Sequence, residues 1–160
     1  MDKIGDILEK WIMGFLGVLC CLLIVIGFAQ VFFRYVLGYS LYWSEEAMRY
    51  LFIWVVFLGL GPTLRHKGHV ALEIIPNSLG GRARFWLERL TLVLVLIFCL
   101  VLTWYGGIVT VKTFRYLSPA MEISLAFIYG PLPLGGLAAI FYTLEQIKNL
   151  KPSGPDEGKP

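Results

Sequence analysis

Four stretches of this chain, residues 11–33, 50–64, 90–111 and 123–144, contain no Asp, Glu, Lys, Arg or His. Few folds accept so much uninterrupted apolar sequence. The first stretch, 23 residues, would extend about 35 Å as a helix, against a bilayer hydrocarbon core of roughly 30 Å. Fourteen of its residues are Leu, Ile, Val or Phe, and their transfer into lipid gains roughly 4 to 8 kcal/mol; its one strongly polar residue, Gln30, does not offset that. The third and fourth stretches, 22 residues each, behave alike. The second, at 15, is too short alone and must extend back through residues 44–49, keeping those charges near the interface. Only 16% of the 160 residues are charged and mean hydropathy is +0.72, too little polarity to cover a soluble domain. The expected fold class is therefore an all-α membrane protein. Its four tilted spans fall near 11–33, 45–64, 88–111 and 123–144, in a single domain over residues 1–150, with short interfacial helices beside them.

The basic residues then set an orientation. With four spans, ten Lys and Arg fall on the side holding both termini and the middle loop: Lys3, Lys10, Arg65, Lys67, Arg82, Arg84, Arg89, Lys148, Lys151 and Lys159. Four fall on the other: Arg34, Arg49, Lys112 and Arg115. The positive-inside bias predicts cytoplasmic N- and C-termini. A net charge of +3 then speaks for contact with anionic lipid in the bilayer rather than with nucleic acid. Asp2, Asp6 and Glu9 spoil the basic start of a cleavable leader, so the first run reads as an uncleaved anchor. Cys20, Cys21 and Cys99 all lie inside apolar runs and read as small apolar fillers rather than a disulfide framework.

Between the spans the chain carries recognisable punctuation. Residues 2–10 read as a short interfacial helix with Ile4, Ile7 and Leu8 on one side. Residues 34–43 are aromatic and broken by Gly38, suiting the membrane–water boundary. Ser44 is the expected N-cap of the second helix, with Glu45 and Glu46 at its positive dipole end, and the helix should stop between Gly61 and Arg65. Residues 69–76 (HVALEIIP) are expected along the membrane surface, with residues 77–81 turning into the third helix. A Ser118-Pro119 break marks the second outer loop, Pro131 and Pro133 predict a kink in the fourth helix, and residues 151–160 should be a disordered cytoplasmic tail.

Few residues carry chemistry. Glu45, Glu46 and Arg49 share a helical face and read as an interfacial network with Arg34, fixing the outer ends of the first two helices. His66, His69 and Glu73 fall on one face, but their spacing is no zinc motif, and no metal is expected. Gly135 and Ala139 form a small-xxx-small pair suited to close helix approach. Trp54 and Trp104 lie deeper than a headgroup belt and read as helix-packing groups. No phosphate loop or nucleophile–base pair is present, so no catalytic or cofactor-binding residue, and no enzyme, is expected.

Residues 33–59 (FRYVLGYSLYWSEEAMRYLFIWVVFLG) resemble the signature of the small membrane subunit of tripartite ATP-independent periplasmic (TRAP) transporters, through Arg34-Tyr35, Ser40-Leu41, Trp43, Glu45-Glu46, Arg49 and the run 52–59. Residues 69–76 and 118–136 are similar to the family's other landmarks; Ser124-Leu125 departs from it, where many members have a proline followed by an apolar or aromatic residue. The resemblance implies a bacterial inner-membrane complex. In it, a periplasmic receptor captures an organic anion, a large membrane subunit moves it on a sodium gradient, and the small subunit widens the fixed scaffold. It implies Arg34, Ser40, Trp43, Glu45, Glu46, Arg49, Trp54 and Gly135 as network or large-subunit contacts. Tyr39, Tyr42, Lys112, Arg115 and Glu122 are expected to face the receptor. No cofactor is expected in this chain, and sodium coupling belongs to the large subunit. Two rivals fit less well. A small multidrug carrier needs a carboxylate in its first span, and a membrane anchor of a respiratory redox complex needs histidines inside spans to hold haem; both are missing here.

Overall fold

The computed structural model describes the backbone of residues 2–74 and 81–149, and the side chains of 5–65 and 86–148. Five helices follow in order: α1 Asp2–Tyr35, α2 Tyr42–Ile74, α3 Gly81–Lys112, α4 Leu125–Tyr129 and α5 Pro131–Asn149. Four segments are long and apolar enough to cross a membrane: Gly5–Tyr35, Tyr42–Arg65, Trp86–Lys112 and Leu125–Lys148, the last joining α4 to α5. No strand occurs among the described residues.

The helices form a row rather than a closed bundle. α5 packs against α2 on one side and α3 on the other, and α1 packs on the far side of α2, giving the order α1–α2–α5–α3. α4 leans on α3. α1 and α2 run antiparallel, as do α5 and α3, so Asp2 and Asn149 lie at one end, here called the terminal end. The connections 36–41 and 113–124 lie at the other, the loop end.

Glycines make the central seams. A Cβ built on Gly135 would stand 2.0 Å from the carbonyl oxygen of Phe57 in α2. One on Gly136 would stand 2.2 Å from Thr103 Oγ1 in α3, and one on Gly106 of α3 would stand 2.8 Å from Leu132 Cβ. Consecutive glycines on α5 thus let two neighbouring backbones approach on opposite sides. The α2 seam continues through Gly61, whose position faces Ala138 and Tyr142 at 3.1 to 3.2 Å. Ala139, Tyr142 and Thr143 are almost wholly buried. Within lipid, apolar side chains gain little by leaving one hydrocarbon for another, so such close van der Waals approach is what holds helices together. The α1 seam is lighter, with Gly27 against Met48 Sδ, Gly59 against Leu16, and an edge contact of Phe15 on Trp54. The burial follows this order: within an 18-residue apolar stretch of each span, 39% is buried within the chain for α4–α5 against 6% for α1.

Several boundaries differ from the sequence reading. Residues 2–10 are not a separate interfacial helix; they are the first turns of α1. α2 does not stop between Gly61 and Arg65 but runs on to Ile74 through Pro62. A proline inside a helix costs about 3 kcal/mol, and Pro62 is buried, next to Gly61, which faces Ala138 and Tyr142 of α5. The packing of that turn offsets the lost hydrogen bond. Residues 69–74 therefore continue α2, while the remainder of the 69–76 segment, most of the turn at 77–81 and the tail 151–160 lie outside the described residues. In the fourth span the chain does break where its prolines predict: α4 ends at Tyr129 and α5 begins at Pro131. The Leu134 N–H reaches back to the Gly130 carbonyl at a long 3.4 Å.

Replacing Gly135 by Ala should destabilise the chain by about 1–3 kcal/mol, because its methyl group meets a backbone carbonyl that has no rotamer to escape into. Gly14→Ala, with nothing within 4 Å of the added carbon, should change stability by less than about 1 kcal/mol. Thermal unfolding in detergent, followed by aggregation or tryptophan emission, checks the contrast.

Candidate functional site

Polar groups gather at the two ends of the row and leave its middle apolar. At the loop end the centre is Glu46, one turn into α2. Its Oε1 accepts from the Tyr50 hydroxyl. Its Oε2 accepts three bonds: Ser118 Oγ at 3.2 Å, and the backbone N–H groups of Ala120 and Met121 at 2.9 Å each. Two successive backbone amides and a hydroxyl converging on one oxygen form a small anion nest, with the carboxylate supplied by the protein itself. The loop is shaped to present them. Ser118 N–H donates to Ile123 C=O, Leu125 N–H to Tyr116 C=O, and Leu117 and Ser124 form an isolated antiparallel bridge. Glu122 holds φ at +53°, a left-handed conformation that side-chain-bearing residues rarely adopt. Ser124 closes the strap: its hydroxyl donates to Phe114 C=O and accepts from Ala126 N–H as the N-cap of α4.

A second carbonyl is rescued nearby. Pro131 has no N–H, so it cannot donate to the carbonyl four residues earlier, that of Phe127. The Trp54 indole N–H takes that carbonyl instead at 3.2 Å, and the two rings lie 5.1 Å apart. The proline break and the deep tryptophan are thus one arrangement, and water is not needed to satisfy the freed oxygen.

At the terminal end Arg65 forms ion pairs with Asp6 and Glu9 of α1. Its guanidinium also lies 5.7 Å from the centre of the Tyr142 ring of α5. The Tyr142 hydroxyl donates to Gly5 C=O at 3.4 Å, and Gln146 Nε2 donates to Leu64 C=O. Glu145 is 8% exposed, and one of its carboxylate oxygens has no hydrogen-bond partner. A Cβ on Gly5 would lie 3.3 Å from that oxygen and 3.5 Å from the Arg65 guanidinium carbon, so Gly5 is where α1 lets the two groups draw near. Three helices that separate in sequence are tied here. The Glu9 contact matters most, because Asp6 is 64% exposed and screened by water while Glu9 is 17% exposed.

Of the residues expected to form a network, Glu46 does so and the others scatter. Glu45 is exposed and accepts from Gln30 Nε2 of α1 at 3.3 Å. Arg49 is exposed, and among the described residues no ion pair joins it to either glutamate. The expected triad is replaced by a carboxylate–amide clasp, since fixed neutral donors already fill Glu46 while an exposed guanidinium keeps its hydration. Arg34 lies over the neighbouring Tyr35 ring at 6.0 Å, away from the Glu46 centre. Ser44 is not the N-cap of α2: the helix starts at Tyr42, and the buried Ser44 hydroxyl donates back to Leu41 C=O at 2.7 Å. Ser40 and Trp43 are exposed at the loop end, as are Tyr39, Tyr42, Lys112, Arg115 and Glu122. Gly135 serves the seam with α2, and Pro131 is buried with Pro133 half-buried beside it. The side chains of His66, His69 and Glu73 lie outside the described residues. Ser118 and the 120–121 amides were not foreseen, because Glu46 is 72 to 75 residues away from them and the amides are backbone groups; Tyr50, four residues from Glu46 on the same helix, had a readable spacing that the sequence reading passed over. The Arg65 clasp left a readable trace: Asp6 and Glu9 stand three apart on one face of α1, and Arg65 is the first cation beyond the second span.

Residues 23–151 match the family described as "Tripartite ATP-independent periplasmic transporters, DctQ component". This chain belongs to that family. It is similar to the ectoine TRAP transporter small permease protein TeaB of Halomonas elongata (34% identity, 76% of this chain and 65% of that protein). It is also similar to the sialic acid TRAP transporter small permease protein SiaQ of Vibrio cholerae serotype O1 (30% identity, 76% of this chain and 70% of that protein). A third relative is the sialic acid TRAP transporter permease protein SiaT of Haemophilus influenzae (28% identity over 84% of this chain), of which the match spans 21%. The DctQ-family chain is thus a small TRAP permease subunit, a multi-pass inner-membrane protein and not an enzyme.

In this TRAP subunit, Glu46→Ala removes the acceptor of four donors and should release the 118–122 loop. Hydrogen exchange at Ala120 and Met121 is expected to accelerate by roughly tenfold or more, with helix content unchanged. Trp54→Phe keeps an aromatic ring but drops the indole N–H and part of the ring contact with Phe127, and should cost about 1 kcal/mol or more, read as a lower thermal midpoint than that of the native chain.

Proposed function

We propose that this chain is the scaffold-widening subunit of a sodium-driven importer that depends on a periplasmic receptor and carries a carboxylate-type solute. It binds a large membrane subunit, keeps both termini in the cytoplasm, and ligates neither solute nor ion. The observation that carries this reading is the one-helix-thick row. Its long helices hold no charged group across the middle of the membrane, yet both ends are fastened by polar clasps. Such a body is built to keep its shape in lipid, and among the described residues its apolar middle offers no charged group with which to coordinate sodium or an anion. In an importer that works by moving one part against another, a rigid apolar body of this kind supplies the stationary part.

Other features support the reading. The matched region makes up about a fifth of the sialic acid permease relative, which leaves most of that protein for a larger transport unit. The solutes named for the relatives, sialic acid and ectoine, both carry a carboxylate and otherwise differ, which suits selectivity residing outside this chain. Tyr39, Tyr42, Lys112, Arg115 and Glu122 stay exposed at the loop end, where a receptor on the periplasmic side would meet them. The excess of Lys and Arg at the terminal end supports a cytoplasmic location for that end.

Co-expression with a large TRAP membrane subunit from the same genome, followed by affinity purification of this chain, should yield a stable two-subunit complex. Uptake by cells carrying both and the receptor should collapse when sodium is replaced by potassium. Arg65→Ala, which removes the cation that ties α1 to α2, should lower the recovered complex and the uptake several-fold together. Purification of this chain without a membrane partner, or uptake indifferent to sodium, contradicts the proposal.

A further inference from the structure

A groove of about 590 Å³ runs between α3 and α5 on one face of the row. Leu100, Trp104, Gly107 and Val111 line it from α3 and Leu137 from α5, and Lys112 stands at its loop end. The α3 positions recur every three or four residues, so they form one continuous stripe. Gly107 makes the floor, with nothing within 4 Å of an added Cβ. The Thr103 hydroxyl beside it is already spent on Cys99 C=O at 2.7 Å. From Leu100 to Lys112 the stripe is about 18 Å long at 1.5 Å per residue, close to the roughly 15 Å depth of one leaflet. Lys112 is exposed and makes no ion pair among the described residues, and Arg115 lies exposed just beyond it. The groove is therefore greasy over a leaflet's depth and cationic at its mouth.

We propose that this groove holds one anionic glycerophospholipid, phosphatidylglycerol, with its phosphate on Lys112 and one acyl chain along the α3 stripe over Gly107. Charge favours this occupant over a transmembrane helix of a partner. A partner helix would have to bring an acid to Lys112 at the membrane boundary, which every anionic lipid does by its nature. The lipid completes the α3–α5 seam from outside, where Trp104 is 71% exposed. This inference does not depend on the transport reading.

The test is fluorescence quenching of the full chain in vesicles containing mid-chain-brominated phosphatidylglycerol or equally brominated phosphatidylcholine. The Trp104 signal is obtained by subtracting the emission of Trp104→Phe. Brominated phosphatidylglycerol should quench Trp104 several-fold more effectively than phosphatidylcholine at equal mole fraction. Lys112→Gln should equalise the two lipids, Lys112→Arg should restore the preference, and Gly107→Leu should reduce quenching by phosphatidylglycerol while circular dichroism stays unchanged. Equal quenching by both lipids in the native chain overturns the proposal. So does a preference that survives Lys112→Gln, or loss of phosphatidylglycerol quenching once the large permease is co-purified, which would show a protein seated there.

Discussion

The contact on which this molecule depends is backbone against backbone at Gly135 and Gly136. Bilayer helices have almost no hydrophobic reason to leave lipid for one another, so they stay together only where surfaces fit closely. Two consecutive glycines allow α5 to press on the Phe57 carbonyl of α2 and on Thr103 of α3 at once. That double approach places α5 at the centre of the row. It also draws α4 in line with the Trp54 indole, which satisfies the carbonyl that Pro131 leaves open. The proline break is possible because its cost is met locally.

With the centre fixed by shape, the ends are fixed by polarity. Glu46 gathers the 118–121 loop, and Arg65 gathers α1 and α5. Both lie near the ends of the second membrane span, Tyr42–Arg65, where water lowers the cost of charge, and neither intrudes on the apolar middle. The result is a thin body with two broad apolar faces, clasped top and bottom. Such a shape cannot enclose a solute path of its own, and the proposed role as a brace for a larger transport unit follows from that geometry.

Much of this was legible in the sequence because charge-free runs of membrane length admit few readings. The four spans, a bend at Pro131 and the close approach at Gly135 could all be read from residue type and spacing. What the sequence hid were partners fixed by tertiary contact. Glu46 pairs with backbone amides rather than Arg49, and amides leave no mark in residue identity. Ser44 looked like an N-cap because it precedes two acids, yet α2 begins two residues earlier and turns that hydroxyl back on Leu41. Pro62 looked like a terminator, since propensity alone cannot register packing against α5. Asp6 and Glu9 stood out only as obstacles to a leader peptide, although their shared face was the visible half of the Arg65 clasp.

The central claim is that this polypeptide braces transport without gripping cargo. The most direct measurement is accumulation, in vesicles under an inward sodium gradient, of a labelled solute that the receptor binds. Vesicles holding the chain alone are compared with vesicles holding it together with its large membrane partner, each supplied with the periplasmic receptor. The account predicts background signal from the chain alone and solute uptake only from the assembled system. Saturable, gradient-driven accumulation by the chain alone would contradict it.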